Sequence, residues 1–107
     1  MNDYCYLDFS LKLKKEPREE LAQIYIKGAI IKSLVAIFGE IGGQTDFELL
    51  TFDEARRKGI LRVAVDFAIK LRIALTLIAE FQGIPSIFQV HNSSSQLNSL
   101  IDTFIEF

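Results

Sequence analysis

The side chains in this sequence that could do chemistry are few, and they are not arranged as a catalytic centre. The one histidine, His91, stands near a strand end followed by Ser93, Ser94 and Ser95. A nucleophile needs an adjacent base, and the base an orienting group. No Cys, Ser or carboxylate is spaced recognisably to form that set with His91, which is expected to be structural or exposed. The serine run reads as a loop and helix cap. Cys5 is the only cysteine, so neither an internal disulfide nor a His/Cys zinc site is expected. Gly42-Gly43 lacks the Lys-Ser/Thr that completes a phosphate loop. No cofactor and no metal follow from these residues.

The second chemically capable group is cationic. Lys12, Lys14, Lys15 and Arg18 close the first apolar segment, and Arg56, Arg57 and Lys58 form a second cluster. Together they could seat phosphates, with Glu16, Glu19, Asp53 and Glu54 offsetting part of the field; the alternative is a solvated loop. A net charge of −2 and a pI near 5.3 exclude binding of nucleic acid by overall positive charge, so any RNA contact must be local. All 12 Lys and Arg residues lie between Lys12 and Arg72, and the last third of the chain has none with which to neutralise phosphate. Arg62 lies in Lys58–Val65, which loosely follows the central strand of RNA-recognition motifs but lacks the aromatics on which bases stack. Tyr4 and Tyr6 could lie near Arg62 on an open sheet face, though ordinary packing explains them as well.

The elements that must position these groups follow from periodicity. Cys5, Leu7, Phe9, Leu11 and Leu13 alternate with Asp8, Ser10 and Lys12, as in a half-buried strand over Tyr4–Leu13. Pro17 at a first helical position, with Glu19 and Glu20 at the positive end of the helix dipole, introduces a helix over Leu21–Phe38 that Gly39 stops. Phe47–Asp53 and Gly59–Val65 read as a hairpin. Asp66 can cap a second helix that runs until Gly83 and Pro85 break it. Ile84–His91 is a fourth strand. Leu97, Leu100, Ile101, Phe104 and Ile105 keep the spacing of a short terminal helix. The order is an α+β, ferredoxin-like split β-α-β-β-α-β sheet with helices on one face, in a single domain over residues 1–107. In that topology the end of strand one and the strand two to three turn share an edge, where seven cations converge.

The first helix carries two apolar faces. At about 100° per residue, Leu21, Ile24, Gly28, Ile31, Val35 and Phe38 form one stripe, expected to face the sheet. Ile26, Ile30, Leu34 and Ile37 gather opposite. On the second helix Ile69, Ile73 and Leu77 lie off the core stripe. Either the terminal helix covers the spare face or another protein docks there, because large apolar patches rarely stay bare; Ile26, Ile30, Leu34, Ile37, Ile69, Ile73 and Leu77 are the partner-interface candidates.

The collinear set Ile37-Phe38-Gly39-Glu40, Leu49-Leu50-Thr51-Phe52-Asp53-Glu54, Gly59-Ile60-Leu61-Arg62-Val63, Leu75-Thr76-Leu77-Ile78, Gly83 and Phe88-Gln89-Val90 resembles the ribonuclease P fourteen-kilodalton/Pop-five family, over roughly Tyr4 to Leu97. The resemblance implies a non-catalytic subunit of a ribonucleoprotein whose RNA removes 5′ leaders from precursor tRNA. It implies as partners the ribonuclease P RNA, a barrel-shaped thirty-kilodalton subunit and a Pop-five-type subunit, and a nuclear, probably nucleolar, location. Asn92-Ser93-Ser94 and an uncharged-to-acidic tail replace the Ser-Gly-Thr turn and basic tail of the Pop-five branch, which favours the fourteen-kilodalton branch and protein bridging over RNA grip. RNA contact is expected from Lys12, Lys14, Lys15, Arg18, Arg56, Arg57, Lys58 and Arg62. The alternative is a free-standing ferredoxin-like ligand-binding or regulatory module that dimerises through its helices. A hydrolase like the acylphosphatases is disfavoured, because Lys14-Lys15-Glu16-Pro17 stands where their arginine-bearing glycine loop would be.

The start Met1-Asn2-Asp3-Tyr4 lacks the pattern of a signal peptide, and no apolar run approaches the roughly 18 to 20 residues that span a bilayer. A soluble intracellular protein with no membrane contact is expected.

Overall fold

The computed structural model describes residues 3–97. Alternation in the first strand, β1 (Tyr4–Leu13), sets the architecture. Leu7, Phe9 and Leu11 are buried and enter the core, while Tyr6, Asp8, Ser10 and Lys12 point to the other face. β1 is followed by helix α1 (Gln23–Gly42), strands β2 (Phe47–Asp53) and β3 (Lys58–Ala64), helix α2 (Ala68–Thr76), and strands β4 (Glu80–Phe81) and β5 (Ile84–Ser94). The sheet order is β2-β3-β1-β5-β4. Without the two-residue β4 this is the antiparallel ferredoxin-like order. β1 is central, pairing Leu7 with Leu61 on β3 and Leu11 with Phe88 on β5.

Phe9 is the hub of the core. Its ring stacks on Phe52 at 6.1 Å and lies 6.0 Å from Phe88, which meets Phe81 edge-on. The residue opposite Phe9 is Gly59, where an added Cβ would come within 2.6 Å of the Phe9 ring. Only glycine leaves that ring its place.

The helices depart from expectation in three ways, each with a local cause. First, α1 starts at Gln23, and Pro17 is not its first residue. Leu21 is held outside the helix, buried in the core with its N–H donated to Glu54 Oε1 at 2.8 Å. At the other end Gly39 adopts φ 81 and kinks the chain, so the regular helix does end at Phe38. Second, Asp66 does not cap α2. Val65–Phe67 form a 3-10 turn, and neither it nor α2 has a side-chain cap. Third, α2 is shorter than its apolar pattern, because Glu80 and Phe81 turn back along β5 through Gln82 and Gly83, both at positive φ. Two such residues in sequence make the tight hairpin turn whose twist matches its strands. β5 continues beyond His91 to Ser94, so Ser93 and Ser94 of the serine run belong to the strand and not to a loop and helix cap. The expected terminal helix lies outside the described residues.

The two faces of α1 are also exchanged. Ile26, Ile30 and Leu34, expected on the free face, are the ones in the core, while Ile24 is 74% exposed and Ile31 44%. Two isoleucine-rich stripes are equally apolar, so hydrophobicity does not choose between them. Leu21, placed in the stripe expected to face the sheet, lies outside the helix. Small residues on the buried side decide it: Ser33 donates its hydroxyl to the Ala74 carbonyl at 2.8 Å, drawing α1 against α2.

Candidate functional site

Three surfaces are candidates. At the first, β1 and the β2–β3 turn meet at one edge of the sheet, as the topology requires: the Leu11 N–H donates to the Arg57 carbonyl at 2.8 Å. This brings Lys12, Lys14, Lys15 and Arg18 to the same end as Arg56 and Arg57. Acidic neighbours take part of the charge. Arg57 pairs with Glu16 at 2.7 Å, and Asp53 caps the turn by accepting the Arg56 N–H at 3.1 Å. Lys15, Glu16, Arg18 and Glu19 line a cleft against Gln82, Gly83 and Ile84. Lys12, Lys14, Lys15 and Arg18 are exposed there.

Two cations depart from that edge. Lys58 is 4% exposed and sits among the side chains of the open face opposite Ser10; it is not presented as a phosphate-binding ammonium. Arg62 lies further along β3, paired with Glu48 on β2, with its guanidinium 4.7 Å from the Tyr4 ring centre. Of the two tyrosines that the sequence allowed near Arg62, Tyr4 makes the contact, as a cation–π pair.

The second surface is the sheet face turned away from the helices. Ser10 and His91 are joined there at 2.7 Å between Oγ and Nε2, a partnership the sequence hid because 81 residues separate them. The register of β5 on β1 shifts between Asp8 and Phe9, and His91 stands at that shift between Val90, paired with Phe9, and Asn92, paired with Asp8. Asp8 is fully buried, with Asn92 donating to Oδ2 at 3.5 Å and Oδ1 without a partner. Burial pushes the Asp8 carboxyl above its ordinary value, against the Asn92 hydrogen bond and the charges of Lys58 and His91. The Lys58 ammonium is pulled below its ordinary value, again by burial first, with Asp8 opposing.

A Ser-His pair near an Asp invites a hydrolytic reading, but the backbone does not support one. Ser10 is in the central strand, paired with Lys58 on one side and Gln89 on the other. Its neighbourhood spends its N–H groups in the ladder, leaving no paired donors for an oxyanion. Among the described residues no group of three or more His, Cys, Asp or Glu could hold a metal.

The third surface is the outer side of the helical layer. Ile69 (74%), Ile73 and Leu77 (60%) are exposed at i, i+4, i+8 along α2, and Ile37 on α1 is 38% exposed. Ile37 and Leu77 meet in a groove with Ala29, Ser33, Ala36 and Ile78. A separate groove joins Ile31 and Val35 to Phe47 and Phe67. Of the seven apolar residues read as partner candidates, Ile37, Ile69, Ile73 and Leu77 are thus at the surface; Ile26, Ile30 and Leu34 are internal. Ile24, Ile31 and Val35, read as core, take their place outside. No helix of the described residues is long and apolar enough to cross a membrane.

These surfaces can be set beside known proteins. The chain is 28% identical over 99 residues to the mouse (Mus musculus) ribonuclease P protein subunit p14, covering 92% of this chain and 80% of the relative. It is 30% identical over 74 residues to the human (Homo sapiens) ribonuclease P protein subunit p14, covering 69% of this chain and 60% of the relative. A chain in a cryo-EM structure of yeast ribonuclease MRP superposes with a TM-score of 0.74 at 14% identity, over 91% of this chain and 77% of that one; at this identity the likeness shows the fold. The family model described as Rpp14/Pop5 matches residues 5–105. The chain belongs to the Rpp14/Pop5 family.

Proposed function

We propose that the protein is a non-catalytic subunit of ribonuclease P, supporting the RNA-based removal of 5′ leaders from precursor tRNA. The observation that carries this reading is the family match over residues 5–105. The geometry agrees with a scaffold: the chain carries an apolar helical surface and a cationic edge at separate places. The helical surface, with Ile37, Ile69, Ile73 and Leu77, is the docking site for protein, namely a barrel-shaped thirty-kilodalton subunit and a Pop-five-type partner. The edge built by Lys12, Lys14, Lys15, Arg18, Arg56 and Arg57 is the surface for RNA phosphates. Separate surfaces let one small domain hold protein and RNA at once. A nuclear, nucleolar setting accompanies this role.

Affinity purification of the tagged protein from its native cells tests the reading. Recovery of the ribonuclease P RNA, a thirty-kilodalton subunit and precursor-tRNA cleavage is expected; recovery of the protein alone at low salt would refute it. The I69D/L77D double variant should lose the protein partners while keeping its circular dichroism, since both residues are exposed in the isolated chain.

A further inference from the structure

The two cationic segments are joined by an ion pair whose partners are held very differently. Arg57 Nη2 lies 2.7 Å from Glu16 Oε2, with the arginine side chain 23% exposed and the glutamate side chain 88%. Arg57 is also fixed through its backbone. Its carbonyl accepts the Leu11 N–H at 2.8 Å, and its φ of 56 lies in the left-handed region that glycine and asparagine enter more readily. With its backbone tied and most of its side chain covered, the guanidinium keeps one place at the sheet edge. Arg56, beside it, has a side chain that is 50% exposed. The Glu16 carboxylate stands in water.

The loop that carries Glu16 is anchored without it. On one side Lys14 donates its N–H to the Pro85 carbonyl at 3.0 Å, and on the other Leu21 donates its N–H to Glu54 Oε1 at 2.8 Å. Release of the carboxylate therefore needs only rotation of a side chain. An ion pair this exposed adds little to stability. It does have a consequence for charge. From Lys12 to Arg18 the sequence holds four cations, Lys12, Lys14, Lys15 and Arg18, and one carboxylate, Glu16. That carboxylate rests on the best-held arginine of the other segment.

We propose that Glu16 is an internal competitor for RNA phosphate: its carboxylate takes up guanidinium donors of Arg57, and an RNA backbone binds this edge by displacing it. The donor fork of arginine suits carboxylate and phosphate alike, so Glu16 occupies the place that a phosphate would take. A phosphodiester and a carboxylate carry the same charge, and a lone phosphate gains nothing by the exchange. A backbone that also reaches Lys12, Lys14 and Lys15 does gain, through the further phosphates it neutralises. The edge thereby selects an RNA that brings several phosphates together. This inference rests on the reading of the edge as an RNA surface and adds the residue that regulates it.

Fluorescence anisotropy of a labelled ribonuclease P RNA transcript, titrated with the full-length chain, tests the proposal. E16Q removes the competitor and should tighten binding about threefold to fivefold at low salt. In an R57Q background the same substitution should lose most of that effect, because the arginine it frees is gone. An equal gain in both backgrounds would mean that Glu16 acts only as one more negative charge, and would overturn the proposal; so would an E16Q affinity that is unchanged or weaker. K14E/K15E separates this result from the reading beneath it. If that variant loses affinity while E16Q changes nothing, the edge binds RNA and only the competitor role fails. If it binds as the wild type does, or if the wild-type chain does not bind the transcript, the edge is no RNA surface and both fail.

Discussion

The two faces of the sheet are made by the same strands and obey different physics. On the helix side, Leu7, Phe9, Leu11, Leu61 and Val63 are buried among apolar neighbours, and their stabilisation grows with the apolar area removed from water. On the other side Asp8, Ser10, Lys58, His91 and Asn92 are held by hydrogen bonds and opposed charges that must recover the cost of leaving water. Burial on the first face is a gain, and on the second a cost partly offset. A substitution should therefore read differently depending on which way its side chain points.

The largest effect is expected on the apolar face. F9A removes the ring shared by Phe52 and Phe88 and should cost about 3–5 kcal/mol, measured as a shift of the urea midpoint at unchanged slope. G59A probes the same contact from across the strand. Its methyl group would meet the Phe9 ring at 2.6 Å and the Thr51 carbonyl oxygen at 2.9 Å, for a loss of about 1–3 kcal/mol. Because G59A fails through Phe9, combining it with F9A should cost less than the sum, a coupling that a double-mutant cycle reads.

The smaller effect, and the one of opposite sign, belongs to the polar face. Asp8 titrates above its ordinary 3.8, so the folded state keeps a proton that the unfolded state releases. Its contribution is then most favourable below pH 3.8 and falls as pH rises through the elevated folded value. D8N keeps the shape and removes the charge. It should flatten this part of the pH dependence and, at neutral pH, gain on the order of 1 kcal/mol relative to the wild type. Denaturation midpoints collected across the acidic range check both points; a neutral-pH loss would mean that the carboxylate holds Lys58 and Asn92 more strongly than its burial costs.

Much of this was legible in the chain. Alternation fixes β1 and its two faces, because a strand has a period of two and little freedom to place its side chains otherwise. The hairpin at Asp53–Lys58, the break at Gly39 and the convergence of the cationic segments follow from turn chemistry and topology. The β4–β5 turn was also open to reading, since Gln82-Gly83 lies between Phe81 and Ile84 and a residue pair ending in glycine suits a two-residue turn; the longer apolar period of α2 concealed it. The Ser10–His91 contact had no such signal. It depends on the pairing of β1 with β5, strands far apart in sequence.

The sequence by itself determined the order of the main elements, though not β4, together with the family and the composition of each face, since these rest on local period, turn residues and a collinear set of motifs. Tertiary structure alone decided which side of α1 is inside. Two equally apolar stripes are degenerate in transfer free energy, and the degeneracy is broken only by close approach to α2 at Ser33 and by the anchoring of Leu21 outside the helix. The same holds for Lys58: its charge was visible in the chain, but only the pairing of β3 with β1, which sets it opposite Ser10, decides that it is buried.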